Sequence, residues 1–277
     1  MSTKLRIGEI CYANCTPIYT TLKKDADCRD YEFVTGEPAA LNAMLAAGEL
    51  DVSPSSSIEY VRHAGDYLIV PDVSISSTGD IMSILLFSRV PVESLGGKTI
   101  AVSSASATST VLLSVLLKNK YGVNAELVPC RPELASMLEG RDAALLIGDE
   151  ALKENLALPP ESGLFVYDLG GIWREFTGLP FVFALWMVRE DAARREPGLV
   201  DRFKADIVAA RTAASGAYPE IAAGAAEAAW MGGSGLVDYW STVSYELGPE
   251  HVRGLSRFYD LAAGVGACPA GVKLRFV

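Results

Sequence analysis

The sequence predicts an α/β protein of two lobes, with mixed, mainly parallel sheets and a ligand cleft between the lobes. Three observations carry that expectation. Strand-like and helix-like segments alternate through the first two thirds of the 277 residues, as in parallel sheets covered by helices on both faces. Two long apolar runs, Ile81–Ser88 (IMSILLFS) and Phe181–Val188 (FVFALWMV), flank a self-contained α/β stretch. Hydroxyl-rich segments recur where strands end. The apolar runs read as a hinge of two crossing strands. They divide the chain into a discontinuous first lobe, 1–86 with 187–277, and an inserted second lobe, 87–186.

The elements follow in order. Leu5–Ile10 reads as a strand and Pro17–Lys24 as a short helix with proline in its first turn. Tyr31–Val34 is a strand, and Glu37–Ala47 (EPAALNAMLAA) is a helix closed by Gly48, a C′ residue. Leu50–Val52 is a strand, 55–64 a helix stopped by Gly65, and Tyr67–Val70 a strand that leads into a loop from Asp72 to Gly79. The inserted stretch holds strand 99–102, helix 108–119, a strand near 125–128, helix 132–139, strand Ala143–Ile147 and helix 149–156. Beyond the second apolar run the chain turns helical, at 191–194, 198–214, 218–229 and 249–264.

Composition excludes several classes. A net charge of −10, with no basic stripe and no interleaved aromatics, argues against nucleic acid and anionic membrane as partners. No apolar run reaches 18 residues, so no transmembrane helix is expected. The start MSTKLRIGEICYANC lacks the apolar core of a secretory signal, and the five cysteines lack zinc-site spacing. A cytoplasmic protein with unpaired thiols, no metal and no cofactor is the expectation. The histidines His63 and His251 have no ligand spacing between them. Trp173 and Trp186 read as packing residues, and Asp72 and Asp168, after apolar strands, as capping or supporting groups.

The strand ends carry the functional signal. They read Cys11-Tyr12-Ala13-Asn14-Cys15-Thr16, Ser53-Pro54-Ser55-Ser56-Ser57, Ser74–Gly79, Ser103–Thr110 and Gly148-Asp149-Glu150. Six of the eight residues Ser103–Thr110 bear hydroxyls, more than helix capping requires. Helix N-termini present unpaired N–H groups, and hydroxyls extend that array toward an anion such as a carboxylate. From the residues alone the chain is a two-lobed binder of an anionic small molecule, with or without chemistry.

The segments RIGEICYANCTPIY, LDVSPSSSIEYVRHAGDYLIVPDVSISSTGDIMSILLFS, TIAVSSASATSTVLL, LLIGDEAL and TGLPFVFALW resemble the chorismate dehydratase family of the futalosine route to menaquinone. The resemblance implies a type II periplasmic-binding-protein-like fold. It also implies loss of water from chorismate, a dicarboxylate, to give 3-[(1-carboxyvinyl)oxy]benzoate. It assigns Asn14 and Ser83 to the catalytic site and Ser56, Ser57, Ser104, Ser106 and Thr108 to substrate binding. Ala13 and Cys15 depart from the family's first loop, where a leucine precedes the asparagine. Two other readings stay open: a non-catalytic solute-binding protein for a small carboxylate, and the sister dihydroxynaphthoate synthase, whose larger substrate calls for a longer cleft and a base histidine.

Overall fold

The computed structural model describes residues 4–105 and 107–277. Its strands are β1 (Leu5–Ile10), β2 (Tyr31–Gly36), β3 (Val52–Ser56), β4 (Tyr67–Ser77), β5 (Ile84–Ser88), β6 (Thr99–Ser103), β7 (Glu126–Cys130), β8 (Ala143–Ile147), β9 (Phe165–Asp168) and β10 (Phe181–Arg189). Its helices are α1 (Thr16–Asp25), α2 (Pro38–Ala47), α3 (Ser57–Arg62), α4 (Ala107–Asn119), α5 (Leu134–Met137), α6 (Gly148–Ala157) and α7 (Leu169–Thr177). The C-terminal part adds α8 (Glu190–Arg195), α9 (Pro197–Ala214), α10 (Tyr218–Gly224), α11 (Ala228–Met231), α12 (Gly233–Thr242) and α13 (Pro249–Gly264).

Two five-stranded sheets form, in the orders β2-β1-β3-β10-β4 and β7-β6-β8-β5-β9. In each sheet four strands run one way and a single strand is reversed, β10 in the first and β5 in the second. The reversed strands come from the two apolar runs of the sequence. Each is flanked by strands on both edges and covered on both faces, which explains the near-continuous apolar character. Trp186 of β10 is fully buried and donates its indole N–H to the Tyr19 hydroxyl at 3.3 Å, while Trp173 is fully buried against Phe181 and Phe258. Both tryptophans are packing residues.

The chain crosses between the sheets at 78–83 and again at 169–180. The run expected as a strand from Ile81 starts at Ile84, because Met82 sits at φ +65° and turns the backbone out of the ladder. The hydroxyl-rich segments of the first sheet also differ from expectation. Ser53 to Ser56 lie within β3, and β4 runs on through Ser77 past a bulge that contains Asp72 at φ +63°. The expected helix 218–229 divides into α10 and α11. The elements α7 and α12 had no forecast, and β9 was expected only as the apolar strand ahead of Asp168. The helices expected at 37–47 and 249–264 form as Pro38–Ala47 and Pro249–Gly264, the former with proline at its start and Gly48 left-handed at its end. Helix α13 lies close on the second crossing: at Gly254 a β-carbon would collide with the Pro180 carbonyl. Among the described residues no helix is long and apolar enough to cross a membrane.

Candidate functional site

Strands β1, β3, β6 and β8 run parallel within their sheets and hand over to helices at the edges where the two sheets meet. The resulting cleft is a narrow slot, open to solvent at its mouth. Tyr12 and Asn14 enter it from the β1–α1 turn, and Ser56 from the end of β3. Pro38 is the first residue of α2, Thr108 and Ser109 lie in the first turn of α4, and Gly148 opens α6. Ile10, Ile75, Ile84, Ile147 and Phe183 form apolar walls. Among the described residues no lysine, arginine, histidine or carboxylate lines the space. Three helices of ten or more residues therefore point their N-terminal ends at a mostly apolar slot. Such a site favours an anion through N–H groups and hydroxyls, not through an ion pair, and accommodates a ring between its walls.

The residues singled out in the sequence divide by position. Asn14, Ser56 and Thr108 line the cleft together. The Asn14 carboxamide oxygen is buried with no hydrogen-bond partner among the described residues, whereas the Ser56 hydroxyl accepts from Asn42 Nδ2 at 3.3 Å. Ser57 is fully buried behind the lining and donates to the Val182 carbonyl at 2.8 Å. Thr108 Oγ1 accepts from the Ile58 amide at 3.2 Å, a bond that joins the first sheet's α3 to the second sheet's α4. Ser83 is also buried. Its hydroxyl accepts from the Tyr239 phenol at 2.9 Å, and it precedes Ile84 of the wall. Ser104 is solvent-exposed and outside the lining, because the turn after β6 carries it away. Ser106 lies outside the described residues. Ser109, next in the same run, lines the cleft and was missed. His63 pairs with Glu59 at 3.6 Å and His251 with the Ser244 hydroxyl at 3.1 Å; neither lines the cleft.

A second layer fixes this first one. From α12 and the segment after it, Trp240 Nε1 donates to the Ala13 carbonyl at 2.8 Å and the Tyr245 hydroxyl to the Asn14 carbonyl at 2.7 Å. Burial raises the phenols of Tyr239 and Tyr245 far above the ordinary tyrosine range, so both remain neutral donors. Asp168, at the end of β9, accepts four backbone N–H bonds. Oδ2 takes Ile81 at 3.0 Å and Met82 at 2.7 Å, and Oδ1 takes Gly170 at 2.8 Å and Gly171 at 3.1 Å. One carboxylate thus ties the first crossing to the second and holds Met82 in its left-handed conformation, just before Ser83. Burial raises its pKa, and the amides of Met82, Gly171 and Ile81 oppose the rise.

Asp149, second residue of α6, is buried and accepts the Ala13 amide at 2.9 Å. Burial pushes its carboxyl up to about 6, against the pull of that amide and of Lys153. Beside it Gly148, at φ +63°, lies flat against the Tyr12 ring, where a β-carbon would come within 2.7 Å. This contact joins residues more than a hundred positions apart, and no local sequence signal announces it.

Comparison with known proteins agrees with this architecture. Among solved structures, a protein from Archaeoglobus fulgidus superimposes with TM-score 0.67 at 19% identity, covering 95% of this chain and 98% of that one. The periplasmic aliphatic sulphonate binding protein of Escherichia coli gives 0.67 at 15% identity, covering 98% and 96%. At such identities the likeness is one of fold, here that of the periplasmic binding proteins. In sequence, a chorismate dehydratase of Thermus thermophilus is 33% identical over 193 residues, covering 65% of this chain and 68% of the relative. A chorismate dehydratase of Campylobacter jejuni is 30% identical over 181 residues, covering 64% of each. The model of a family described as menaquinone biosynthesis matches residues 5–264, from the first residue of β1 to the last of α13. The chain belongs to that menaquinone biosynthesis family.

Proposed function

We propose that this protein is a chorismate dehydratase, a hydro-lyase that converts chorismate to 3-[(1-carboxyvinyl)oxy]benzoate. The two sequence relatives support the reaction. The observation that carries it to this site is the buried, unpartnered carboxamide oxygen of Asn14, in a slot where helix starts converge without a cation. An unsatisfied acceptor at that depth costs free energy unless a ligand donates to it. The hydroxyl that chorismate must lose is such a donor.

The reaction removes the proton from the ring carbon that bears the enol ether and hydroxide from the neighbouring carbon. The electron pair left by the proton forms the last double bond of the aromatic ring, and the proton and hydroxide leave as water. Charge developing on the ring carboxylate in the transition state is stabilised by the N–H groups and hydroxyls at the start of α4. Among the described cleft-lining residues no side chain is a base. The substrate's own enolpyruvyl carboxylate takes that role in this reading, with Asn14 orienting it and the leaving hydroxyl, and Ser83 supporting the wall from behind through its bond with Tyr239. Ser56, Ser57, Ser104, Ser106 and Thr108 were the expected binding set; the geometry favours Ser56 and Thr108 as direct contacts and Ser57 as a support. The same reading keeps two lobes near the expected bounds of 1–86 with 187–277 and 87–186. They meet instead at the crossings 78–83 and 169–180, since β5 lies wholly in the second sheet and β10 in the first. The reading also includes a cytoplasmic reaction that needs no cofactor, nucleic acid or membrane.

The test is to mix the purified protein with chorismate, follow the ultraviolet spectrum and identify the product by mass. Loss of one water with an aromatic product is the expected result. Chorismate bound but returned unchanged would establish the solute-binding reading, which the lack of a base in the lining favours. Activity on a larger nucleoside-derived substrate instead would establish the sister synthase.

A further inference from the structure

We infer that Asp149 is a positioning residue: from the second sheet's α6 its carboxylate holds the Ala13 amide of the first sheet's β1–α1 turn, and so fixes where Asn14 points. The inference rests on the proposed role of Asn14. Three of the four groups that grip this turn come from the C-terminal part or from packing: Trp240 on the Ala13 carbonyl, Tyr245 on the Asn14 carbonyl, and the Tyr12 ring on Gly148. The Asp149 bond differs in kind. It is the one polar contact among these that spans the two sheets, at 2.9 Å, and it acts on the Tyr12–Ala13 peptide, one residue ahead of Asn14. Asp149 holds the Tyr12–Ala13 peptide through its N–H and Trp240 holds the Ala13–Asn14 peptide through its C=O, so the peptide planes on both sides of the Ala13 α-carbon are tethered.

The bond also joins substrate placement to the approach of the sheets. Asp149 is absent from the cleft lining, so it meets the substrate only through the turn. The ionised carboxylate is the stronger acceptor, because a hydrogen bond to a charged group exceeds one to a neutral acid. The groups that face it are Lys153 and Glu150 on its own helix, Glu227 ahead of α11, Tyr239 on α12, and Cys11 and Cys15 around the turn. With this carboxyl at about 6, the grip on Ala13 weakens as the pH falls through that value.

Two variants and two readouts test this. Asp149→Asn keeps an acceptor oxygen, and Asp149→Ala removes it. Hydrogen exchange of the Ala13 amide in the full chain needs no substrate. Its protection should fall about tenfold or more in D149A and remain close to wild type in D149N. In turnover of chorismate, D149A should lose about a hundredfold in kcat, the scale of a misplaced catalytic group, while D149N stays within a few-fold. Wild-type kcat/KM should step down by the same few-fold as the pH falls through about 6, to the level of D149N, which lacks the step. Unchanged Ala13 protection in D149A overturns the inference. So does loss of turnover in D149N with protection intact, which would make Asp149 the base itself. A wild type that does not convert chorismate would sink the proposed reaction, while the exchange arm would still decide whether Asp149 holds the turn.

Discussion

The two sheets share one spatial arrangement, each with four strands in one direction and a reversed fourth neighbour, yet they use their hydroxyls differently. In the first, Ser74 and Ser76 of β4 and Ser57 at the start of α3 are structural. Ser57 bonds the Val182 carbonyl, and Ser76 bonds the Ser244 carbonyl at 2.9 Å, with a backbone bridge between the same residues. Ser74 donates to the Glu246 carbonyl. These hydroxyls fasten segment 244–246 along β4, covering an edge that would otherwise be open. In the second sheet, Thr108 and Ser109 open α4 toward the cleft. A run of serines reads the same in both places. What separates them is whether a neighbouring chain lies within reach of the hydroxyl before a ligand does.

The largest effect should come from the junction that holds the two sheets together. Asp168→Ala would leave four backbone N–H groups without their acceptor and should lower unfolding stability by about 3–5 kcal/mol, read by denaturant titration. A loss under about 1 kcal/mol would mean that water replaces the carboxylate freely. Asn14→Asp should come next. It sets a carboxylate against a dicarboxylate substrate, and kcat/KM on chorismate should fall by about a hundredfold or more with the fold intact by circular dichroism. Wild-type rates in that variant would remove Asn14 from the mechanism.

Smaller changes sharpen the contrast between the sheets. Thr108→Val keeps the volume and deletes the hydroxyl that both faces the cleft and accepts the Ile58 amide. KM should rise roughly tenfold, with about 1 kcal/mol lost in stability. Ser76→Ala should cost about 1 kcal/mol in stability and leave KM and kcat unchanged. If Ser76→Ala moved KM and Thr108→Val did not, the assignment of roles to the two sheets would be reversed.

Much of this was legible in the sequence, for identifiable reasons. Leu5–Ile10 and Ala143–Ile147 were bounded correctly because short apolar runs between turn residues leave little room for error. Pro38 and Gly48 marked α2, and the two apolar runs marked the strands that are enclosed on both sides. The edge strand β9 was legible only as an apolar run ahead of Asp168, without bounds, because Phe165 and Val166 are exposed and its four residues give no alternation. Helix α12 escaped because it opens on Gly233-Ser234-Gly235, a turn-like start. Of the site, Asn14, Ser56 and Thr108 could be found as polar residues at strand ends and helix starts. Ser104 could not be separated from them, since a one-residue step in a turn reverses a side chain. The grip of Asp149 on Ala13 and of Asp168 on Met82 depends on contacts across 136 and 86 positions, which no local pattern encodes.

The register of the strands has a consequence for how this chain could be taken apart. Ser77, the last residue of β4, pairs directly with Phe181, the first of β10. Everything between them leaves and re-enters the first sheet at adjacent points, about 5 Å apart as in any antiparallel pair. On the other side Leu85 pairs with Asp168, so the second sheet likewise begins and ends on neighbouring strands. A tight turn could therefore replace the whole excursion and leave every pairing of the first sheet in place. The second sheet is in that sense a guest in a hairpin, and a graft or a circular permutation has its natural junctions at these two points.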